Sequence, residues 1–279
     1  MKKIIGFFLF LCLLLGGCAK NNQTVWRVST LGSGEDINLP VAKNVGFCAL
    51  PEKKIDENAP VQRTITVDGK TYTCPYTETE YVPDLKGPSI LKQRRAKDCY
   101  EAKEITFSFF SGTSTLAQFL RRIDPLPGCE DLTEENTEKR ARYYLALYYS
   151  DANAYSIERI QKEENQGVKF YEVVFNRKVK EFLSTDYISV WVDPNGALCG
   201  LMANDYQIYD GVEISTEQVN EAKARLDTAI AENGLVSEGG LRVVMGDDGE
   251  LYLSVQASYY EAHNEEVGVT ILEELFTRL

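Results

Sequence analysis

Residues 187–202 read Tyr187-Ile188-Ser189-Val190-Trp191-Val192-Asp193-Pro194-Asn195-Gly196-Ala197-Leu198-Cys199-Gly200-Leu201-Met202, and this stretch decides the fold class. Ile188, Val190 and Val192 alternate with Tyr187, Ser189 and Trp191, the two-residue period of a strand with one buried face. Asp193 to Gly196 is a tight-turn sequence in which proline restricts φ and glycine supplies a positive one. The stretch therefore predicts two antiparallel strands, Tyr187 to Val192 and Ala197 to Met202. Upstream, Tyr155 to Ile160 and Val168 to Val179 also read as strands. Before them, Thr133 can cap a helix that starts with Glu134 and Glu135, acids well placed against the helix dipole, and runs to about Tyr149. Ala141, Tyr144, Leu145 and Tyr148 fall on one face of that helix.

The pattern then restarts. Ile214-Ser215-Thr216-Glu217-Gln218-Val219 is a capping box flanked by staple residues, and Val219, Ala222, Leu226, Ala229 and Ile230 form an apolar stripe that Asn233-Gly234 terminates. Strands are expected at Leu241 to Met245 and Leu251 to Ala257 around Asp247-Asp248-Gly249, with Leu251, Leu253, Val255 and Ala257 inward. Val267 to Leu272 reads as a strand, while Ile271 to Leu279 fits a terminal helix equally well. The expected class is α+β: two C-terminal units of helix plus antiparallel meander, at 131–212 and 213–279. A β-hairpin-rich region, 38–130, precedes them. It contains Val61 to Val67 and Thr71 to Cys74 around Asp68-Gly69, a strong hairpin signal, and a second hairpin from Ile105 to Leu120. Between these, Pro83 to Lys97 with Lys92, Arg94 and Arg95 reads as an exposed connector.

At the amino end, Lys2 and Lys3 precede an apolar run from Ile4 to Leu15. This run is shorter than the roughly 20 residues a spanning helix needs, as expected of an export signal over residues 1–17. Leu15-Gly16-Gly17-Cys18 resembles the lipobox of bacterial lipoprotein precursors. The resemblance implies cleavage before Cys18, acylation of Cys18, and a mature protein lipid-anchored on the extracytoplasmic face of the cell membrane. Residues 18–37 are polar and glycine-containing apart from Trp26, and are expected to act as a flexible tether.

The helix with an acidic start, the strand pairs around Asp193-Pro194-Asn195-Gly196 and Asp247-Asp248-Gly249, and the lipobox together resemble the PepSY-like, cystatin-like modules of exported proteins and lipoproteins of Gram-positive bacteria. That resemblance covers residues 131–279 loosely. It implies a binding or inhibitory role and carries over no catalytic residue.

The chain has 30 basic and 42 acidic residues and one histidine. Loss of residues 1–17 removes two lysines and no acid, leaving 28 basic groups against 42 acidic, a net of −14. Such a balance opposes binding to nucleic acid, and a single histidine leaves most triads and His-rich zinc sites without parts. His263 sits in a polar stretch, and no cysteine carries a protease signature. Asp247 to Glu250 and Asp151 to Asn153 lack the spacing of a calcium loop. No catalytic residue, metal or cofactor is expected. Cys48, Cys74, Cys99, Cys129 and Cys199 fit two disulfides and one thiol, or five buried thiols.

The expected function is a non-catalytic module that binds a protein, peptide or wall component. A carboxylate-dependent envelope hydrolase and a structural subunit of an envelope complex are the competing readings. The expected contact surface consists of Trp191 and Tyr187 with Tyr252 on outward strand faces, and Tyr143 and Tyr149 on the helix. Trp191 is the expected anchor, and strand addition to an exposed sheet edge is the expected mode. For the amino end, metabolic labelling with palmitate should tag the wild type and leave Cys18→Ser untagged.

Overall fold

Alternating apolar residues become strands along most of this chain, and the outcome is a mainly β protein. The computed structural model describes residues 24–29, 37–40, 51–83, 85, 87, 89–122, 132–165, 168–262 and 268–279. In chain order the elements are β1 (Val25–Ser29), β2 (Glu52–Lys54), β3 (Gln62–Val67), β4 (Lys70–Tyr81), α1 (Ser89–Arg95), β5 (Lys97–Ala102), β6 (Ile105–Phe110), β7 (Leu116–Arg121) and α2 (Glu134–Tyr148). They continue with β8 (Tyr155–Asn165), β9 (Val168–Arg177), β10 (Leu183–Ser184), β11 (Tyr187–Val192), β12 (Leu198–Asn204), α3 (Thr216–Glu232), β13 (Val236–Met245), β14 (Leu251–Ala262) and β15 (Gly268–Arg278). Two units are distinguished: a larger one, Pro51–Pro83 with Pro88–Val212, and a smaller one, Met1–Leu50 with Asp84–Gly87 and Glu213–Leu279.

In the larger unit one antiparallel sheet runs β2-β4-β5-β6-β7-β12-β11-β9-β8, with β3 paired to β4. The decisive join is β7 against β12, in the register Gly200↔Leu120, Leu201↔Phe119 and Met202↔Gln118. It fuses the hairpin region with the strands on the carboxy-terminal side of α2. The expected α+β division into a hairpin-rich region and two helix-plus-meander units is therefore corrected: 38–130 and 131–212 share one sheet, and helices are a minor component among the described residues. Local caps and turns report each hairpin but carry no information on which hairpins pair with each other.

Helix α2 begins where its cap predicts, with Thr133 Oγ1 accepting from Asn136 N at 3.2 Å. Its buried stripe, Ala141, Tyr144 and Leu145, joins Val173, Phe175, Ile188, Val190 and Val192 in one core. That core continues into Phe107, Phe119 and Tyr100, all fully buried, so aromatic area dominates the burial. Tyr144 Oη donates to Asp68 in the β3–β4 turn, and Leu198 N donates to Tyr144 Oη and to Asp68 Oδ2 at 3.1 Å each. The hydroxyl thus ties the helix, the hairpin turn and the start of β12.

The expected connector at Pro83 to Lys97 is also corrected. It contains α1, whose Leu91 is fully buried; Arg95 Nε lies 3.0 Å from Asp205 Oδ1, and the Arg94 guanidinium covers Phe110 and Tyr206.

The smaller unit places β1-β15-β14-β13 side by side, all antiparallel. Helix α3 carries the full capping box between Ser215 and Gln218, and packs its stripe on this sheet, where Arg225 Nε donates to Thr277 Oγ1 at 2.9 Å. The carboxy-terminal residues are strand, so the terminal-helix alternative is excluded. Val25–Ser29 is a strand on β15, from Val25↔Thr277 to Ser29↔Glu273. The expected flexible tether over 18–37 therefore does not hold there: Arg27 pairs with buried Glu273 at 3.2 Å, and Trp26 meets Tyr252 edge-on at 6.1 Å.

Replacing Tyr144 by Phe should cost about 1.5–3 kcal/mol, the worth of a hydrogen bond to a charged carboxylate, measured by denaturant unfolding with an unchanged m-value.

Candidate binding surface

On β11 the side chains split as the alternation requires. Ile188, Val190 and Val192 are fully buried under α2, and Trp191 points to the opposite face. Cross-strand register places Glu172 on one side of Trp191 and Gly200 on the other, with Leu120 beyond Gly200. The indole covers Gly200: a Cβ there would lie 2.0 Å from Trp191 Cε3. A glycine in a strand interior marks such a close approach, and this one holds the tryptophan flat against the sheet. Trp191 and Met202 are partly buried, while Leu120 is 39% exposed. Tyr187 lies two pairs along the same face, opposite Asn176 and Asn204.

The other tyrosines are dispersed. Tyr143 is 57% exposed, but on α2, across the sheet from Trp191. Tyr149 is a correction. It is 2% exposed because the chain leaves the helix at its C-cap and turns the ring inward, where Oη donates to Leu116 O at 2.9 Å. Tyr252 is a second correction. It packs into a cluster with Trp26, Val28 and Phe276 on one face of the smaller sheet, and its Oη donates to Asp248 at 2.7 Å. Ser254, two residues along the same face, is also buried. The strand-addition mode is corrected too, since β11 lies between β9 and β12 and β14 lies between β13 and β15. The sheet edge at β8 carries Glu158, Arg159, Lys162, Glu163 and Glu164 with a register irregularity at Ile157/Arg159, features that block edge pairing.

A buried polar cluster in the larger unit has no counterpart in the sequence reading. Asp186, fully buried, accepts from Tyr155 Oη at 2.6 Å and Gln207 N at 2.9 Å. Asp151 accepts from Tyr206 Oη at 2.6 Å and pairs with Arg177, which also reaches Asp210. Asp205 accepts from Arg95 and from Thr185 Oγ1. Asp205 and Gln207 have φ of 45° and 62°, a backbone conformation that side chains other than glycine seldom adopt. Desolvation raises the Asp186 carboxyl to about 7, against the hydrogen bonds and Arg177 that favour its ionised form. Each carboxylate here faces tyrosine, arginine, threonine or backbone donors, the arrangement of a structural knot. The signal that could have revealed it is the density of Asp and Tyr between Asp151 and Asp210.

Cys74, Cys99 and Cys199 are free thiols, with burial pushing Cys99 up to about 11 and Cys199 to about 12. Cys18, Cys48, Cys129 and His263 lie outside the described residues. Among the described residues no cluster of three metal-ligating side chains occurs, and no helix is long and apolar enough to cross a membrane.

No family model matches the chain, and no curated protein matches it. Among solved structures the chain is similar to the Bacillus megaterium YpeB C-terminal domain, at 11% identity and a TM-score of 0.34, over 85% of this chain and 93% of that one. A similarity at this level assigns no residue a role.

The Asp186 carboxyl binds its proton more tightly folded than unfolded. Its stabilising contribution is therefore complete below its ordinary value of 3.8 and lost as pH rises through about 7. Relative to Asp186→Asn, the wild type should lose stability steadily between those values in urea unfolding at a series of pH values.

Proposed function

We propose that this chain is an exported lipoprotein of the PepSY-like kind, anchored through Cys18, and that it acts by binding a protein, peptide or wall component without catalysis. The contact surface is the face of the larger sheet around Trp191, with Tyr187, Met202, Leu120 and Gln118. The observation that carries this reading is Trp191 laid across Gly200 beside exposed Leu120. A large amphipathic ring held in one orientation loses little entropy on contact, which is why tryptophan recurs among energetic hot spots. The acidic balance of the chain supports a partner other than nucleic acid.

The test is capture by in situ cross-linking on intact cells, compared among wild type, Trp191→Ala and Gly200→Ala. Trp191→Ala should cut partner recovery by about tenfold or more, while costing about 1–2 kcal/mol of stability, less than the roughly 3–5 of a fully buried Trp→Ala. Gly200→Ala, which displaces the ring, should reduce recovery in the same direction. Undiminished recovery in both variants would remove this surface from the account.

A further inference from the structure

On the α2 side of the larger unit, Leu132, Asn136, Lys139, Arg140 and Tyr143 line an open groove of about 520 Å³ with Asn195 of the β11–β12 turn. Two walls bound it. One is the amino-terminal part of a capped helix; the other is a turn in which Asp193 Oδ1 accepts from Asn195 N and Ala197 N at 2.9 Å each, and Arg121 pairs with Asp193 at 3.2 Å. Arg140 is set between these walls. Its Nε and side-chain carbons lie over Gly196, where a Cβ would come within 3.0 Å of Nε, and Gly196 holds a φ of +76°.

Among the described residues, Lys139 and Arg140 form no ion pair. Glu138, the acid adjacent in sequence to Lys139, is taken by Arg142 at 2.8 Å. Among the described residues Arg140 has no carboxylate, hydrogen bond or stacked ring, whereas Arg27, Arg95, Arg121, Arg142, Arg159, Arg177, Arg225 and Arg278 are all ion-paired. In a chain with 42 acidic residues against 30 basic ones, an oriented arginine beside a lysine and without a carboxylate in ion-pair contact among the described residues is an uncommon arrangement. A planar guanidinium presents paired donors that match an oxyanion, and the neighbouring carboxamide of Asn136 can bond the polar groups around it. Tyr143, 57% exposed, offers a ring for the rest of the ligand.

We propose that this groove is a second binding site, independent of the Trp191 face, and that it takes the carboxylate of a small organic acid, with Arg140 as the principal contact and Lys139 as support. A monoanion suits a strongly acidic protein better than a multiply charged phosphate does, because the overall field opposes each added negative charge.

The probes are N-acetyl-alanyl-alanine as the free acid, the same dipeptide as its amide, D-glucuronate, and inorganic phosphate, each titrated into the protein with chemical-shift or calorimetric detection. Binding of the free acid should exceed that of the amide and phosphate. Arg140→Gln should weaken it by about tenfold or more, Arg140→Lys by less, and about 0.5 M salt should reduce it further. The dipeptide and glucuronate arms then tell a peptide terminus from an acidic sugar as the source of the carboxylate. Equal binding of acid and amide, unchanged binding by Arg140→Gln with native circular dichroism, or phosphate outcompeting both carboxylates would each overturn the proposal. Loss of the Trp191 surface reading would leave these results unaffected.

Discussion

The larger unit depends on burying one face of a continuous antiparallel sheet beneath α2. Ala141, Tyr144 and Leu145 supply the helix side, and Val173, Phe175, Ile188, Val190 and Val192 supply the sheet side. Since side chains alternate across a strand, committing Ile188, Val190 and Val192 to that core sends Tyr187, Ser189 and Trp191 to the other face. A slip of one residue would reverse the two sets. The register with β9 and β12 is therefore the constraint that places Trp191, and Gly200 is the residue that lets the indole lie flat once it is there.

The same constraint separates the candidate surfaces. Trp191 and the Arg140 groove belong to opposite sides of the sheet in the larger unit, one on the face turned away from α2 and one on the helix side. Between strand ends and loops, the Asp151, Asp186 and Asp205 cluster uses its carboxylates to bond Tyr155, Tyr206, Thr185, Arg95 and Arg177. Acids that sequence counting makes available for chemistry are thereby consumed in holding the chain path, including two left-handed residues, Asp205 and Gln207. This is why acid content alone points to no reaction.

What was legible in the sequence was local. The hairpin turn at Asp193 to Gly196, the cap at Thr133 and the capping box at Ser215 each rest on residues a few positions apart, and each appears where its residues place it. The sheet order was not legible, because pairing of β7 with β12, or of Val25–Ser29 with the last strand, is decided by long-range burial. The basic cluster at Lys92 to Arg95 looked solvated because its partners, Asp205 and Gln207, lie more than a hundred residues away. At the candidate surface, alternation identified Trp191 and Tyr187, while Tyr149 and Tyr252 were misplaced. Tyr149 turns inward at a helix end, and Tyr252 packs against Trp26, a residue that read as part of a tether.

The proposed function rests on the sheet face opposite α2 as the part of the molecule that meets its partner. Site-specific incorporation of a photo-cross-linking amino acid tests it directly, at Leu120 on that face and at Leu147, 51% exposed on α2, as the comparison. On intact cells, irradiation should yield a discrete cross-linked product from position 120 and little or none from position 147. A product from position 147 alone, or equal products from both, would contradict the assignment of this face.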